Sequence, residues 1–119
     1  MRILFLGDVV GISGCSKIMN SLKSEIEKKN IDFVIVNGEN SSGPGVGLNL
    51  ETCNDFFNCG VDVITTGNHV WDQKEIISYI EKENRLLRPL NLYEPCPGKG
   101  FEIYETSQNI KVGVLNLMG

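Results

Sequence analysis

The chain has 119 residues, a length that suits one domain and leaves little room for two. With 41% hydrophobic and 22% charged residues, its composition is that of an ordinary globular protein, which excludes disorder as the default state. A formal charge of −4 provides no positive surplus, so we expect neither bulk nucleic-acid binding nor attraction to an anionic membrane surface.

The start of the chain and its cysteines indicate the cellular compartment in which the protein resides. Residues 1–6, apolar except for Arg2, are followed at once by Gly7-Asp8, which makes them too short for a signal peptide. No apolar run is long enough to span a membrane. No C-x-x-C pair is present, so we expect reduced thiols without a redox or metal-binding role at Cys15, Cys53, Cys59 and Cys96. These features predict a cytoplasmic protein.

The first part of the sequence alternates apolar strands with amphipathic helices. Strands are predicted at residues 2–6, 33–36 and 61–65, and their nearly continuous apolar character is typical of parallel strands buried on both faces. Between the first two strands, a predicted helix places four apolar side chains on one face: Ile18, Met19, Leu22 and Ile26.

Two shorter helices follow. Asn49 can cap a helix that carries Leu50, Cys53, Phe56 and Phe57, with Gly60 as its stop signal. After the third strand, Asp72 with Glu75 three residues later resembles a capping box, and the helix it would open continues to about residue 84. The apolar side chains of this third helix are Ile76, Ile77 and Ile80.

The last third of the chain has a different pattern. Prolines and glycines predict an irregular connection at residues 88–100, and residues 101–105 and 110–117 are predicted strands joined by residues 106–109. The fold class is therefore α/β, with a largely parallel sheet, flanking helices and right-handed crossovers, in the order βαβαβα and then two further strands. We expect residues 1–119 to form a single domain.

Polar side chains follow each of the three early strands. Asp8 comes after the first, Glu39 and Asn40 after the second, and Asn68 and His69 after the third, each behind a glycine. Asp8, Glu39 and Asn68 are about thirty residues apart, the length of one βαβ unit, so they should occupy equivalent places on adjoining strands. Because functional crevices of open α/β sheets lie at the carboxyl ends of the strands, we expect these side chains to converge.

The chemistry of these side chains favours a divalent metal. Carboxylate and amide oxygens from Asp8, Glu39, Asn40 and Asn68 suit Mg, Mn, Ca or iron better than a thiolate-binding metal. Glu39, in the middle loop, could bridge two ions, and His69 could protonate a leaving alkoxide. For each residue alone, a helix cap or a turn is the competing interpretation. Residues 43–47, rich in glycine, are interpreted as a loop flanking the site.

Four ordered sequence blocks resemble the YmdB-like bacterial metallophosphoesterases, a branch of the calcineurin-like phosphoesterase fold. They are G-D-V-V-G at 7–11, V-N-G-E-N at 36–40, G-V-D-V-I-T-T-G-N-H-V-W-D at 60–72 and V-L-N-L-M-G at 114–119. The resemblance implies a dinuclear centre, most often of iron or manganese with magnesium as the alternative, and hydrolysis of phosphodiesters such as 2′,3′-cyclic nucleotides. By motif position, it implies metal ligands at Asp8, Glu39, Asn40 and Asn68, with Glu39 bridging, and the catalytic histidine at His69.

The chain also departs from the resemblance. Family members continue beyond the last strand and supply further histidine ligands there, whereas this sequence contains a single histidine. We therefore expect an amino-terminal half of the enzyme domain, which would need a complementing carboxyl-terminal half or a second copy. Two alternatives remain open: a non-catalytic half-domain that binds metal weakly or mediates an interaction, and a nucleotide-binding module that uses the loop at residues 43–47.

Overall fold

The computed structural model describes all 119 residues and has an α/β architecture. A four-stranded parallel sheet is ordered along the chain as β1 Ile3–Leu6, β2 Phe33–Asn37, β3 Val63–Thr65 and β4 Leu86–Leu87. The intervening helices are α1 Gly11–Lys29, α2 Leu50–Cys59 and α3 Lys74–Ile80, with a 3₁₀ turn at Asn68–Trp71. An antiparallel hairpin of β5 Phe101–Glu105 and β6 Lys111–Leu115 completes the chain. The predicted fold class is confirmed.

Alternating side chains of the sheet enter two separate cores. On one face, Val36 and Ile64 are fully buried with Phe56 and other side chains from the three helices. On the other face, residues of β2, β3 and β4 pack against the hairpin in a smaller cluster: Phe33, Val63, Leu87, Val112 and Val114. Burial on both faces explains the continuous apolar runs of β2 and β3.

The predicted signals of α2 are confirmed at both ends. The Asn49 side-chain oxygen accepts a hydrogen bond of 2.8 Å from the N–H of Thr52, which satisfies one of the free donors at the helix start. Gly60 follows the last residue with φ of 109°, a left-handed conformation that glycine adopts without a steric penalty. These local signals therefore fix the bounds of α2.

Two burial predictions are wrong, one for a side chain of α1 and one for the first strand. Met19 is exposed because the buried stripe of α1 runs through Cys15, Ile18 and Leu22, and Met19 lies about 100° around the helix from Ile18. The first strand is not buried on both faces either, because β1 is the edge strand of the sheet and pairs only with β2.

The third helix also differs from its prediction. It begins at Lys74 and ends at Ile80, and its N-cap residue Gln73 makes no side-chain capping bond. The Asp72 carboxylate instead contacts His69, and Glu75 accepts a hydrogen bond from the N–H of Leu50. The shorter helix leaves room for β4, a buried two-residue strand that is too short for its apolar pattern to be recognised in the sequence.

The predicted irregular connection at residues 88–100 is confirmed, and one arginine organises it. Arg88 is only 4% exposed, and its guanidinium donates hydrogen bonds to the carbonyls of Pro89, Pro97 and Gly98. Its remaining nitrogen forms an ion pair of 2.6 Å with Glu94.

None of the helices combines the length and the apolar character that crossing a membrane requires.

Candidate functional site

The loops that follow β1, β2 and β3 are joined side by side through their backbones. Val9 and Gly11 donate hydrogen bonds to the carbonyls of Asn37 and Asn40, at 3.1 and 2.9 Å. On the other side of the middle loop, the N–H of Gly38 donates to the carbonyl of Thr65 at 3.0 Å. The three loops that carry the predicted site residues therefore form one continuous edge.

Glu39 in the middle loop is held against the third loop. Its Oε1 accepts a hydrogen bond of 3.1 Å from the N–H of His69. Its carboxylate also fills the space beside Gly67, where a Cβ atom would lie only 2.2 Å from Glu39 Oε2. Gly67 is thus required for the position of Glu39, a role that the sequence analysis missed because the two residues are distant in sequence.

Asp8, Asn40 and Asn68 offer side-chain oxygens that the chain does not use. Asp8 has a φ of 50°, a left-handed conformation that Asp tolerates better than most residues, and its side chain is exposed. The helix that follows Asp8 has Val10 as its N-cap, and the 3₁₀ turn at Asn68 has Gly67, neither with a side-chain capping bond. The capping alternative is therefore not observed for Asp8 or Asn68.

His69 is oriented by a carboxylate one turn further along the chain. Its Nδ1 lies 2.7 Å from Asp72 Oδ2. Because an ionised carboxylate only accepts hydrogen bonds, Nδ1 carries the proton in this pair, and Nε2 remains available to another group. Sequence reasoning assigned Asp72 to a helix cap, although the H-x-x-D spacing across a tight turn is a signal that could have identified it.

The glycine-rich loop at residues 43–47 lies next to this pair. The N–H of Ser42 donates to the carbonyl of Gly47 at 2.9 Å, which closes the loop at its base. Gly47 has a φ of 76°, and a Cβ there would lie 3.1 Å from Asp72 Cβ and 3.4 Å from the His69 carbonyl. The loop therefore borders the histidine through a close backbone approach that a larger residue would disturb.

The candidate ligands are the type of donor that a hard divalent cation prefers, but there are too few of them to complete two ions. The candidate ligands are two carboxylates and two amides, the oxygen donors that Mg, Mn and iron accept. The structure brings no three His, Cys, Asp or Glu side chains together as a metal cluster. Four side chains cannot complete two ions of roughly six ligands each, even when one carboxylate is shared.

The fold and this edge define the class of protein. The chain has a parallel α/β sheet whose strand-end loops carry acid and amide oxygens beside a carboxylate-oriented histidine, at the edge where ligands of open α/β sheets bind. The family model described as YmdB-like protein matches residues 4–119, so the chain belongs to the YmdB-like family. This agrees with the resemblance carried by the four sequence blocks.

Three longer proteins illustrate the similarity. The 2′,3′-cyclic-nucleotide 2′-phosphodiesterase of Bacillus subtilis is 40% identical over 119 residues, which are all of this chain and 44% of that protein. Crystal structures of a hypothetical protein from Thermus thermophilus and of a novel phosphatase from Mycoplasma pneumoniae superpose with TM-scores of 0.90 and 0.88, each at 36% identity. All of this chain matches, but only 45% and 43% of those two chains. The chain thus spans less than half the length of these relatives.

Proposed function

We propose that this chain supplies part of a metal-dependent phosphodiesterase centre, with 2′,3′-cyclic nucleotides as the substrate class. The observation that carries the proposal is the continuous edge of three hydrogen-bonded loops, with the Glu39 carboxylate held between the second and the third. Membership in the YmdB-like family and the name of the Bacillus subtilis relative support the type of reaction.

The proposed metal ligands are Asp8, Glu39, Asn40 and Asn68, with Glu39 shared between two ions. Their oxygen donors favour iron or manganese, with magnesium as the alternative. Such ions, when bound, supply positive charge to the phosphate oxygens and lower the pKa of water. The chain's own contribution is positional, since Gly67 leaves room for the Glu39 carboxylate and the His69 N–H holds it in place.

His69 is the proposed proton donor. Asp72 accepts a hydrogen bond from Nδ1–H and so fixes the ring, which leaves Nε2 available to other groups. For this step His69 would enter as the imidazolium, with Nδ1–H bonded to Asp72 and a second proton on Nε2. As the oxygen of a water molecule bonds to phosphorus and the bond from phosphorus to the ribose oxygen breaks, the electron pair stays on the ribose oxygen, which takes the Nε2 proton, and the proton lost by the water restores the imidazolium. Hydrolysis of the cyclic ester then yields a phosphomonoester and a free hydroxyl group.

A second candidate function follows from the number of donors. With four oxygen ligands and no cluster of three His, Cys, Asp or Glu side chains, the chain by itself would hold a metal ion weakly. In this alternative, the chain is a non-catalytic half-domain that binds one ion or contributes to an assembly. The two candidates differ in whether substrate is turned over once the rest of a family member is present.

The test is phosphodiesterase activity with Mn²⁺, measured on 2′,3′-cyclic AMP for the chain alone and for the chain co-expressed with the part of the Bacillus subtilis relative outside the match. The proposal predicts metal-dependent turnover in the co-expressed sample and loss of turnover in Asp8→Ala and Asn68→Ala. Asn58→Ala, on the exposed surface of α2, is the matched control. Binding of Mn²⁺ without turnover in either sample would favour the metal-binding half-domain. The absence of Mn²⁺ binding would exclude the phosphodiesterase and leave only a half-domain that contributes to an assembly.

The proposed setting is the cytoplasm. All four cysteines are free, and Cys15, Cys53 and Cys59 are buried as thiols within the core, which suits a reducing compartment. Fractionation of cells that express a tagged chain would test this, and recovery from an oxidising compartment would contradict it.

A further inference from the structure

The fourth sequence block contains a buried asparagine that the proposed site does not use. Asn116, the asparagine of V-L-N-L-M-G, directly follows β6 and is only 9% exposed. Its backbone is held on both sides, because its N–H donates to the carbonyl of Gly100 at 2.9 Å and its carbonyl accepts from the N–H of Leu90 at 2.8 Å. The surrounding chain therefore fixes the point from which the Asn116 side chain extends.

The side-chain amide of Asn116 joins the ends of two parallel strands. Its Nδ2 donates at 2.8 Å to the carbonyl of Thr66, just after β3, and at 3.2 Å to the carbonyl of Leu87, at the end of β4. Both acceptors are carbonyls, so the amide nitrogen faces them, and its two hydrogens are both used. The hairpin is thus tied to β3 and β4 at the edge of the sheet that carries the site.

A proline explains why a side-chain donor is needed at this point. The N–H of Thr66 donates to the carbonyl of Leu87 at 3.1 Å, as in the parallel ladder that precedes it. The same ladder would pair the carbonyl of Thr66 with the N–H of the residue two positions after Leu87. That residue is Pro89, which has no N–H, so the ladder ends and the carbonyl needs another donor. The amide of Asn116 supplies it.

Thr66 lies immediately before the third loop of the site. Gly67 follows it, and the fit of the Glu39 carboxylate depends on the absence of a side chain at Gly67. Two residues further along, the N–H of His69 holds the same carboxylate at 3.1 Å. A shift of the Thr66 carbonyl would therefore move the start of this loop, the space beside Gly67 and the N–H of His69 together.

We propose that Asn116 is a positioning residue for the third loop. By pairing with the carbonyl of Thr66, it sets where this loop presents Asn68 and holds Glu39. The purpose of this placement rests on the proposed function, whereas the tie between the strands rests on the hydrogen bonds alone. Groups outside the ligand shell commonly act in this way, orienting the ligands without touching the metal.

The experiment compares Asn116→Asp with Thr106→Val, a change to another buried polar side chain away from the site. The first keeps the size of the side chain but places a carboxylate, which only accepts, against two carbonyls. Thr106 is also buried, and its hydroxyl accepts hydrogen bonds from two backbone N–H groups in the hairpin turn. NMR measures hydrogen exchange of the His69 amide, and calorimetric titration measures the affinity for Mn²⁺.

In Asn116→Asp, we expect the His69 amide to exchange about tenfold faster relative to the amides of β2, and Mn²⁺ to bind about tenfold more weakly. Thr106→Val should change neither, although it removes buried hydrogen bonds as well. If Asn116→Asp does not fold, Asn116→Ser, which keeps one donor and adds no charge, takes its place. Unchanged exchange and affinity in the folded variant, or equal changes in Thr106→Val, would overturn the proposal.

A measurement on the unsubstituted chain requires no variant to fold. A scalar coupling across the hydrogen bond should link the side-chain nitrogen of Asn116 to the carbonyl carbon of Thr66, and its absence would also contradict the proposal. If the chain binds no Mn²⁺, the proposed function fails, and the exchange of the His69 amide still decides the role of Asn116.

Discussion

His69 Nδ1 and Asp72 Oδ2 lie 2.7 Å apart, a hydrogen bond between residues three positions apart on either side of a tight turn. Because His69 is the only histidine in the chain, its ring can be observed without interference from other imidazoles. The contact is formed within the chain itself, and the tautomer of the ring is therefore a property of this fold.

We predict that neutral His69 carries its proton on Nδ1 and that Asp72→Asn shifts the population toward the Nε2–H tautomer. The physical reason is that the Asp72 carboxylate accepts only, whereas an amide can also donate. Nitrogen-15 NMR of the imidazole measures the two forms directly. Glu27→Gln, on the exposed face of α1, should leave the spectrum unchanged, and an unchanged tautomer in Asp72→Asn would contradict the prediction.

Replacing Gly67 by alanine should displace Glu39. The added Cβ would overlap the Glu39 carboxylate, and Gly67 has φ of −141° and ψ of −145°, beyond the edge of the β region. We expect Gly67→Ala to weaken Mn²⁺ binding by about tenfold. Calorimetric titration tests this, with Gly43→Ala as control because a Cβ at Gly43 contacts nothing within 4 Å. Equal Mn²⁺ affinity in both variants would show that Glu39 is not a ligand.

The helix-side core should depend strongly on Phe56. This side chain is fully buried at the centre of the larger cluster, so Phe56→Ala should lower the free energy of unfolding by about 3 to 5 kcal/mol. Ile12 is 70% exposed, and Ile12→Ala should change stability by about 0.5 kcal/mol or less. Urea unfolding monitored by circular dichroism would measure both, and similar effects of the two substitutions would be inconsistent with the described core.

The cysteines should differ sharply in reactivity. Cys15, Cys53 and Cys59 are buried, and burial raises the pKa of the Cys53 thiol to about 12, which leaves almost no thiolate at neutral pH. Cys96 is only partly buried. We expect one rapidly reacting thiol in a native titration with a disulfide reagent and four after unfolding. Cys96→Ser should remove the rapid phase, and a rapid phase that survives this change would disprove the assignment.

We expect Glu83 to make the free energy of unfolding depend on pH in the acid range. Its carboxylate accepts hydrogen bonds from the side chain of Arg85, and these hold the pKa of Glu83 below its usual 4.5. The folded state therefore binds this proton less tightly than the unfolded chain, so the stabilisation is complete above pH 4.5 and is lost as pH falls through the folded pKa. Because Arg85 is nearly half exposed, Glu83→Gln should cost about 1 kcal/mol or less at pH 7. Unfolding curves between pH 3 and 7 should show the difference from wild type shrinking in acid.

Local signals were sufficient for much of the fold. Asn49 and Gly60 define α2 because a cap and a left-handed stop depend on a few adjacent residues. The same kind of signal failed at Asp72, where a carboxylate that could cap a helix instead contacts His69. The competition between these partners is decided by the turn that precedes α3, which the sequence pattern does not describe.

Long-range relationships were harder to predict. The order of the strands predicted that the loops of Asp8, Glu39 and Asn68 would be neighbours, and their backbones are joined. The fit of Glu39 against Gly67 depends on a contact across two strands, which no local pattern contains. The exposure of β1 likewise reflects its place at the margin of the sheet, since its composition alone resembles that of a buried strand.

The backbone bonds from Gly11 to Asn40 and from Gly38 to Thr65 have a consequence for the order of assembly. They form as the sheet forms, so the entropy of arranging these loops is lost during folding and not when a ligand arrives. A partner polypeptide would bind to loops that are already arranged, and it would supply only the remaining metal ligands. In the proposed centre, these loops would thus be in place before the remaining ligands are supplied.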